Sequence, residues 1–164
     1  MRLLIFHVDS FTCTITERGR SAIVETPASP IAHIDEGLLV LASVESGDEE
    51  RAAEVVAGTT QEVSSLAGRL RAREVMLLPF AHLFGEPAAP GPALEMLDAI
   101  AVELRSRGLV VSRPPFGWFH RWDLRAKGHP LSRVARTIPV PTGRGAPMDR
   151  DAAASARGES RGTP

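Results

Sequence analysis

Residues 38–44 read Leu38-Leu39-Val40-Leu41-Ala42-Ser43-Val44, an almost unbroken apolar run. Such a run shows no alternation, so it suits a central strand that meets apolar side chains on both faces. Downstream, Ala52, Val55, Val56, Val63, Leu66 and Leu70 recur at helical spacing between Asp48 and Ala72. Asp48, Glu49 and Glu50 open this stretch and Arg69 and Arg71 close it, as the helix dipole favours. Glu74 to Leu78 is a second apolar run. Strand, helix and strand in this order define the centre of an α/β domain.

Working outward, Arg2 to Val8 and Phe11 to Thr16 are short apolar and β-branched runs separated by Asp9-Ser10, which reads as a hairpin. Ala22 to Glu25 is a third candidate strand, and Pro27 and Pro30 mark a loop after it. On the other side, Pro79-Phe80-Ala81-His82 leads into a loop through Pro87 and Pro90. A second helix is expected from Pro92, as first helical residue, to just before Gly108, with Leu97, Ile100, Ala101 and Leu104 on its inner face. Leu109 to Val111 and Gly117 to Leu124 supply further strands. The expected order β-β-β-β-α-β-α-β-β is α/β with a mixed sheet and two main helices, not a doubly wound parallel sheet. From Pro139 the composition turns to Pro, Gly, Ala, Ser and Arg, so residues 139–164 read as a disordered tail behind one folded domain, 1–138.

Composition limits the function classes. Among 164 residues 43% are hydrophobic and 24% charged, with a formal net charge of −1, which fits neither a polyelectrolyte nor a chain disordered throughout. Cys13 is the only cysteine, so an intramolecular disulfide and a thiolate-cluster zinc site are both excluded. The opening run is too short for a signal peptide, and no stretch approaches the roughly 20 apolar residues that span a bilayer. A cytoplasmic location without membrane partners is therefore expected.

Four histidines, His7, His82, His120 and His129, fall near expected strand ends or loops, where an α/β domain gathers its site. They lack metal-ligand spacing and an adjacent carboxylate cluster, so neither a metal nor another cofactor is expected. The stretch Arg105 to Arg136 is strongly basic: Arg105, Arg107, Arg113, Arg121, Arg125, Lys127, Arg133 and Arg136 face only Asp123. Phe116, Trp118, Phe119 and Trp122 are interleaved with them. Cations that pair with phosphates and rings that stack on bases suit a single-stranded RNA end. The same pattern suits aromatics turned into a core beneath solvated arginines, and it does not choose between the two.

Five segments occur in a familiar order: Met1-Arg2-Leu3-Leu4-Ile5 with His7 and Asp9; Leu39 to Glu45; Leu78-Pro79-Phe80-Ala81-His82-Leu83; Pro115-Phe116-Gly117; and Lys127-Gly128-His129-Pro130-Leu131 followed by Arg136-Thr137-Ile138. In this order and spacing the chain resembles the N-terminal editing domain of archaeal-type threonyl-tRNA synthetase over residues 1–138. The catalytic domains of a synthetase are absent from the sequence, so no aminoacylation activity is expected from it.

The resemblance implies a D-aminoacyl-tRNA deacylase-like fold, a homodimer, and hydrolysis of Ser-tRNA(Thr) made in error, assisted by the terminal ribose hydroxyl of the tRNA. It implies as partners the 3′ aminoacyl end of tRNA-Thr and, as a further candidate, threonyl-tRNA synthetase. By the same resemblance main-chain groups of Val44, Glu45, Pro79, Phe80 and Ala81 hold the aminoacyl group. His82 and His120 are then the catalytic candidates, and His7, Gly117, Trp118, Phe119 and His129 complete the substrate-binding set. Arg121, Arg125, Lys127 and Arg133 are left to contact RNA. Two positions depart from the family pattern: His120 stands where the family has lysine, and Arg133 where it has an acidic residue. An imidazole with a reference pKa of about 6.5 is only partly charged at neutral pH, so His120 suits a base or a hydrogen-bond donor better than a fixed cation. The alternatives are a deacylase for D-aminoacyl or other small aminoacyl-tRNAs, and a non-catalytic module that binds the tRNA acceptor end.

Overall fold

A computed structural model describes residues 1–81, 83 and 85–138 of the chain; the tail expected over residues 139–164 lies outside them. Seven strands are found among the described residues: β1 (Arg2–Arg18), β2 (Ile31–Ile34), β3 (Gly37–Ser43), β4 (Glu74–Pro79), β5 (Val110–Ser112), β6 (Trp118–Ala126) and β7 (Arg133–Thr137). Two helices, α1 (Ala52–Leu70) and α2 (Pro90–Ser106), connect β3 to β4 and β4 to β5. The strands form one sheet in the order β2-β1-β3-β4-β5, with β6 and β7 added to the other edge of β1. β3, β4 and β5 are parallel and every pairing of β1 is antiparallel, so the sheet is mixed as expected.

Every residue of β3 is buried, and its side chains divide between two cores. Leu38 and Val40 pack with Leu3, Ile5, Val63, Leu66, Leu97, Ile100 and Leu104 beneath the helices. Leu39 and Leu41 pack on the opposite face with Val8, Phe11, Cys13, Ile34, Met76 and Leu78. That second face is closed by the sheet itself, because β2 folds over β4 and β5. Truncating Leu39 or Leu41 to alanine would cost about 2–5 kcal/mol, the usual range for a buried leucine.

Four local expectations are corrected. Asp9-Ser10 is no turn: β1 runs through it, and the pairing with β6 slips between Val8 and Ser10, leaving Asp9 as the extra residue of a bulge. Asp9 has no positive φ, as the central residues of a tight hairpin turn would. The bulge puts Val8 and Phe11 on the same face, a break in alternation that imitates a turn in the sequence. Ala22 to Glu25 is not a strand; its Glu25 N–H donates to Phe116 C=O at 3.1 Å, which ties it to a turn. The strand is instead Ile31–Ile34, an edge position where the preceding Pro30 is tolerated. α2 begins at Pro90 rather than Pro92, and β7, with one buried valine between Arg133 and Arg136, shows no apolar alternation by which to expect it.

Candidate functional site

β3 and β4 run side by side as far as Ala42 and Pro79 and then separate. The last rung is the Phe80 N–H, which donates to Ala42 C=O at 2.9 Å. Beyond it, the Val44 C=O accepts the Ala88 N–H at 3.0 Å, and the Glu45 N–H donates to Asp48 Oδ2 at 2.8 Å. The first of these bonds, with the Ser46 N–H donating to Glu86 C=O at 2.9 Å and an antiparallel bridge between Glu45 and Pro87, brings the chain after β4 back onto the chain after β3. The Glu45 carboxylate is also engaged, accepting from Gly85 N–H at 2.9 Å and pairing with Arg2 Nε at 3.0 Å. Among the described residues, the Val44 and Ala81 N–H groups meet no acceptor. Unpaired amides at two neighbouring strand ends are donors that a carbonyl or hydroxyl oxygen can satisfy.

Aromatic rings stand beside the end of β4. The Phe80 ring lies 5.9 Å from that of Trp122 at an angle of 52°, and Trp122 lies 5.9 Å from Phe11 at 72°. His120 and Trp122 pair with Ile15 and Cys13 of β1, which puts both on the same face of β6. The His120 Nε2 is buried without a partner among the described residues, and burial pushes its pKa below the ordinary histidine value. At neutral pH this imidazole is uncharged and can accept a proton. Trp118 is committed to structure, donating from Nε1 to Glu25 C=O at 2.8 Å, and Gly117 makes the turn before it with φ +86°. Phe119 is 59% exposed on the opposite face of β6.

The structure places His7 and His129 elsewhere. His7 pairs with Leu38 at the start of β3, six residues before Val44, or about 20 Å along the strand. The resemblance had grouped these histidines with the strand-end residues; β1 carries His7 away because it runs antiparallel to β3. The Leu131 N–H donates to His129 Nδ1 at 3.3 Å, so the His129 proton sits on Nε2, which donates to His7 Nδ1 at 2.8 Å. The His7 proton is thereby fixed on Nε2, buried and 3.9 Å from Glu36 Oε1. Burial, then the charges of Lys127 and His129, push the His7 pKa down, against the opposing pull of Glu36 and Asp9. Lys127 bridges Asp9 Oδ1 at 2.7 Å and Glu36 Oε1 at 2.9 Å, and Asp9 also faces Arg125 at 3.7 Å. Arg121 and Arg133 are exposed on β6 and β7. His82 lies outside the described residues. No group of three or more metal-ligating side chains occurs among the described residues.

Residues that the sequence reading did not single out complete the picture. Asp48, read only as a helix-start acid, holds both the Glu45 N–H and the Met1 ammonium. An aspartate three residues after the amide it accepts is a recognisable turn signal, but its second partner comes from the far end of the chain. Glu36 and Phe11 carried no local signal at all.

A family model described as the archaea-specific editing domain of threonyl-tRNA synthetase matches residues 1–138. The chain belongs to this family. Among curated relatives, this editing domain is 36% identical over 138 residues to the threonine–tRNA ligase of Methanopyrus kandleri, covering 84% of the chain and 22% of that protein. It is 38% identical over 148 residues to the corresponding ligase of Methanoculleus marisnigri, covering 90% of the chain and 24% of that protein. The editing domain thus spans less than a quarter of the length of these relatives. Its fold is D-aminoacyl-tRNA deacylase-like. A solved structure described as a probable eukaryotic D-amino acid tRNA deacylase superposes with a TM-score of 0.55 at 11% identity, over 82% of this chain and 98% of that one. The c-Myc DNA unwinding element binding protein superposes with a TM-score of 0.57 at 12% identity, over 85% of this chain and 99% of that one. Among the described residues no helix is long and apolar enough to cross a membrane.

Proposed function

We propose that the editing domain is a hydrolase acting in trans on aminoacyl-tRNA, with Ser-tRNA(Thr) as its substrate. The observation that carries this reading is the pair of unpaired N–H groups, those of Val44 and Ala81, at the neighbouring ends of β3 and β4. Fixed amides of this kind stabilise the oxyanion that forms when water attacks an ester, and removing one such donor typically slows turnover by about 10²–10³. These strand ends would hold the ester of the 3′ aminoacyl end, and the neutral His120 would take a proton from the attacking water. The terminal ribose hydroxyl would supply a further hydrogen bond to the reacting centre. Ala81 is small and exposed, which suits a serine-sized group.

The chemistry explains the need for such a site. A pocket built for threonine gains only about 1–3 kcal/mol from one methyl group, too little to exclude serine, so a second site removes the error. The partners in this reading are tRNA-Thr, the synthetase that releases the mischarged product, and a second copy of the editing domain. The β6 strand pairs only with β1 among the described residues, and that edge, with Phe119 exposed on one face, is suited to the second copy.

A deacylation panel tests the proposal. Ser-tRNA(Thr) is expected to be hydrolysed faster than Thr-tRNA(Thr) and than a D-aminoacyl-tRNA. Preferential loss of the D-aminoacyl ester would assign the other deacylase activity. Buffer-level loss of all three would leave only an acceptor-end binding module.

A further inference from the structure

Away from the strand-end site, three arginines gather round one surface cavity. Arg71 follows α1, Arg73 precedes β4 and Arg107 follows α2. With Ala67, Gly68 and Leu109 they line a volume of about 400 Å³. The arginines that pair with carboxylates, Arg2, Arg113, Arg125 and Arg136, are elsewhere. Arg107 donates to the neutral Gln61 Oε1 at 2.9 Å, and among the described residues none of the three meets a carboxylate. A helix C-terminus favours a nearby cation, which accounts for Arg71 and Arg107 singly. It does not account for three uncompensated guanidinium groups around a single cavity, an arrangement that suits the oxygens of a phosphate backbone.

Arg71 adds an independent observation. Its backbone is left-handed, with φ 57° and ψ 24°, and it is the only non-glycine residue of positive φ among those described. This position after a helix is where glycine is favoured, and a side chain there costs roughly 1–2 kcal/mol. The fold would be served better by glycine, so the guanidinium is present at a conformational cost, as at sites where a side chain has another task.

We infer that this cavity binds the phosphate backbone of the tRNA substrate at a distance from its 3′ end. β4 separates the cavity from the strand-end site: Arg73 precedes its first residue and Phe80 follows its last, a run of about 20 Å. A phosphate held here belongs to the body of the acceptor arm rather than to the aminoacylated nucleotide. The inference rests on the proposed function for the identity of the RNA, but not for its catalysis.

The test is binding of unacylated tRNA(Thr) and of a short single-stranded oligonucleotide ending in CCA, followed by fluorescence anisotropy across a salt series. Arg71→Gly is expected to keep or raise the melting temperature while weakening tRNA binding several-fold and lowering the salt slope by about one. Joint substitution Arg73→Ala and Arg107→Ala should weaken it further, whereas Arg51→Ala, an exposed arginine outside the cavity, should have little effect. Oligonucleotide affinity should be unchanged, and in deacylation assays KM should rise with kcat held. Wild-type tRNA affinity in Arg71→Gly, an equal loss in Arg51→Ala, or absence of tRNA binding by the unaltered protein would overturn the inference. So would a loss that falls equally on the short oligonucleotide, or competition confined to inorganic triphosphate, which would mark a small-anion site. Intact tRNA binding without deacylation would instead remove the proposed hydrolysis and leave the cavity standing.

Discussion

Asp48 Oδ1 lies 2.6 Å from the Met1 ammonium, and both groups are buried. The other oxygen of the same carboxylate accepts the Glu45 N–H, so a buried ion pair fixes the turn that follows Val44. Asp48→Ala leaves the ammonium buried without a counter-charge, and a loss of about 3–5 kcal/mol is expected from urea denaturation. Asp48→Asn keeps an acceptor for the amide and should retain more activity than the alanine variant at temperatures where both are folded. Equal deacylation rates in the two would detach this carboxylate from the strand-end site.

His120→Ala is expected to lower kcat by about 10²–10⁴ while changing tRNA affinity little, as for loss of a general base. Burial depresses the His120 pKa, so the rate should climb with pH below about 6.5 and level off once the imidazole is neutral. Single-turnover deacylation between pH 5 and 8, corrected for spontaneous ester hydrolysis, measures both. A flat profile would leave the main-chain amides of the strand ends as the working part.

Acid should weaken the fold before it reaches the carboxylates. His7 and His120 both have depressed pKa values when folded, so the unfolded chain binds more protons than the folded one below about 6.5. Their contribution is complete above that pH and is lost as pH falls through the folded values. Denaturation midpoints should therefore drop between pH 7 and pH 5. His120→Leu should flatten part of this dependence even though it removes activity. An unchanged slope in that variant would assign the acid sensitivity to His7 and its His129 partner.

Gly117→Ala should destabilise the domain by about 1–3 kcal/mol, the range for a side chain held in a disfavoured backbone region. Gly117 has φ +86°, and a Cβ there would come within 2.5 Å of Ile23 C=O. The turn it makes carries Phe116, whose N–H donates to Glu25 Oε2 at 2.6 Å, and leads into β6. Thermal melts read the stability, and a melting point equal to wild type would show that the turn relaxes freely.

Much of the architecture was legible because it depends on local periodicity. The run Leu38 to Val44 announced a doubly covered strand, and the spacing from Val55 to Leu70 announced α1, since each pattern follows from the geometry of one element. Asp9 was misread because a bulge and a turn both interrupt alternation, and only the partner strand β6 distinguishes them. The order of motifs was enough to point to the family, and with it to the strand-end residues.

By itself, then, the sequence determined the layering of helix on sheet, the family, and the adjacency of the chain after β3 to the chain after β4. Those features are written in neighbouring residues or in the order of segments. Tertiary structure alone decided that His7 and His129 lie at the opposite end of β3 from Val44, and that Met1 reaches Asp48. It also decided that Arg71, Arg73 and Arg107 share one cavity. The direction of β1 and the closure of the sheet set these distances, and a linear chain carries neither until its strands have paired.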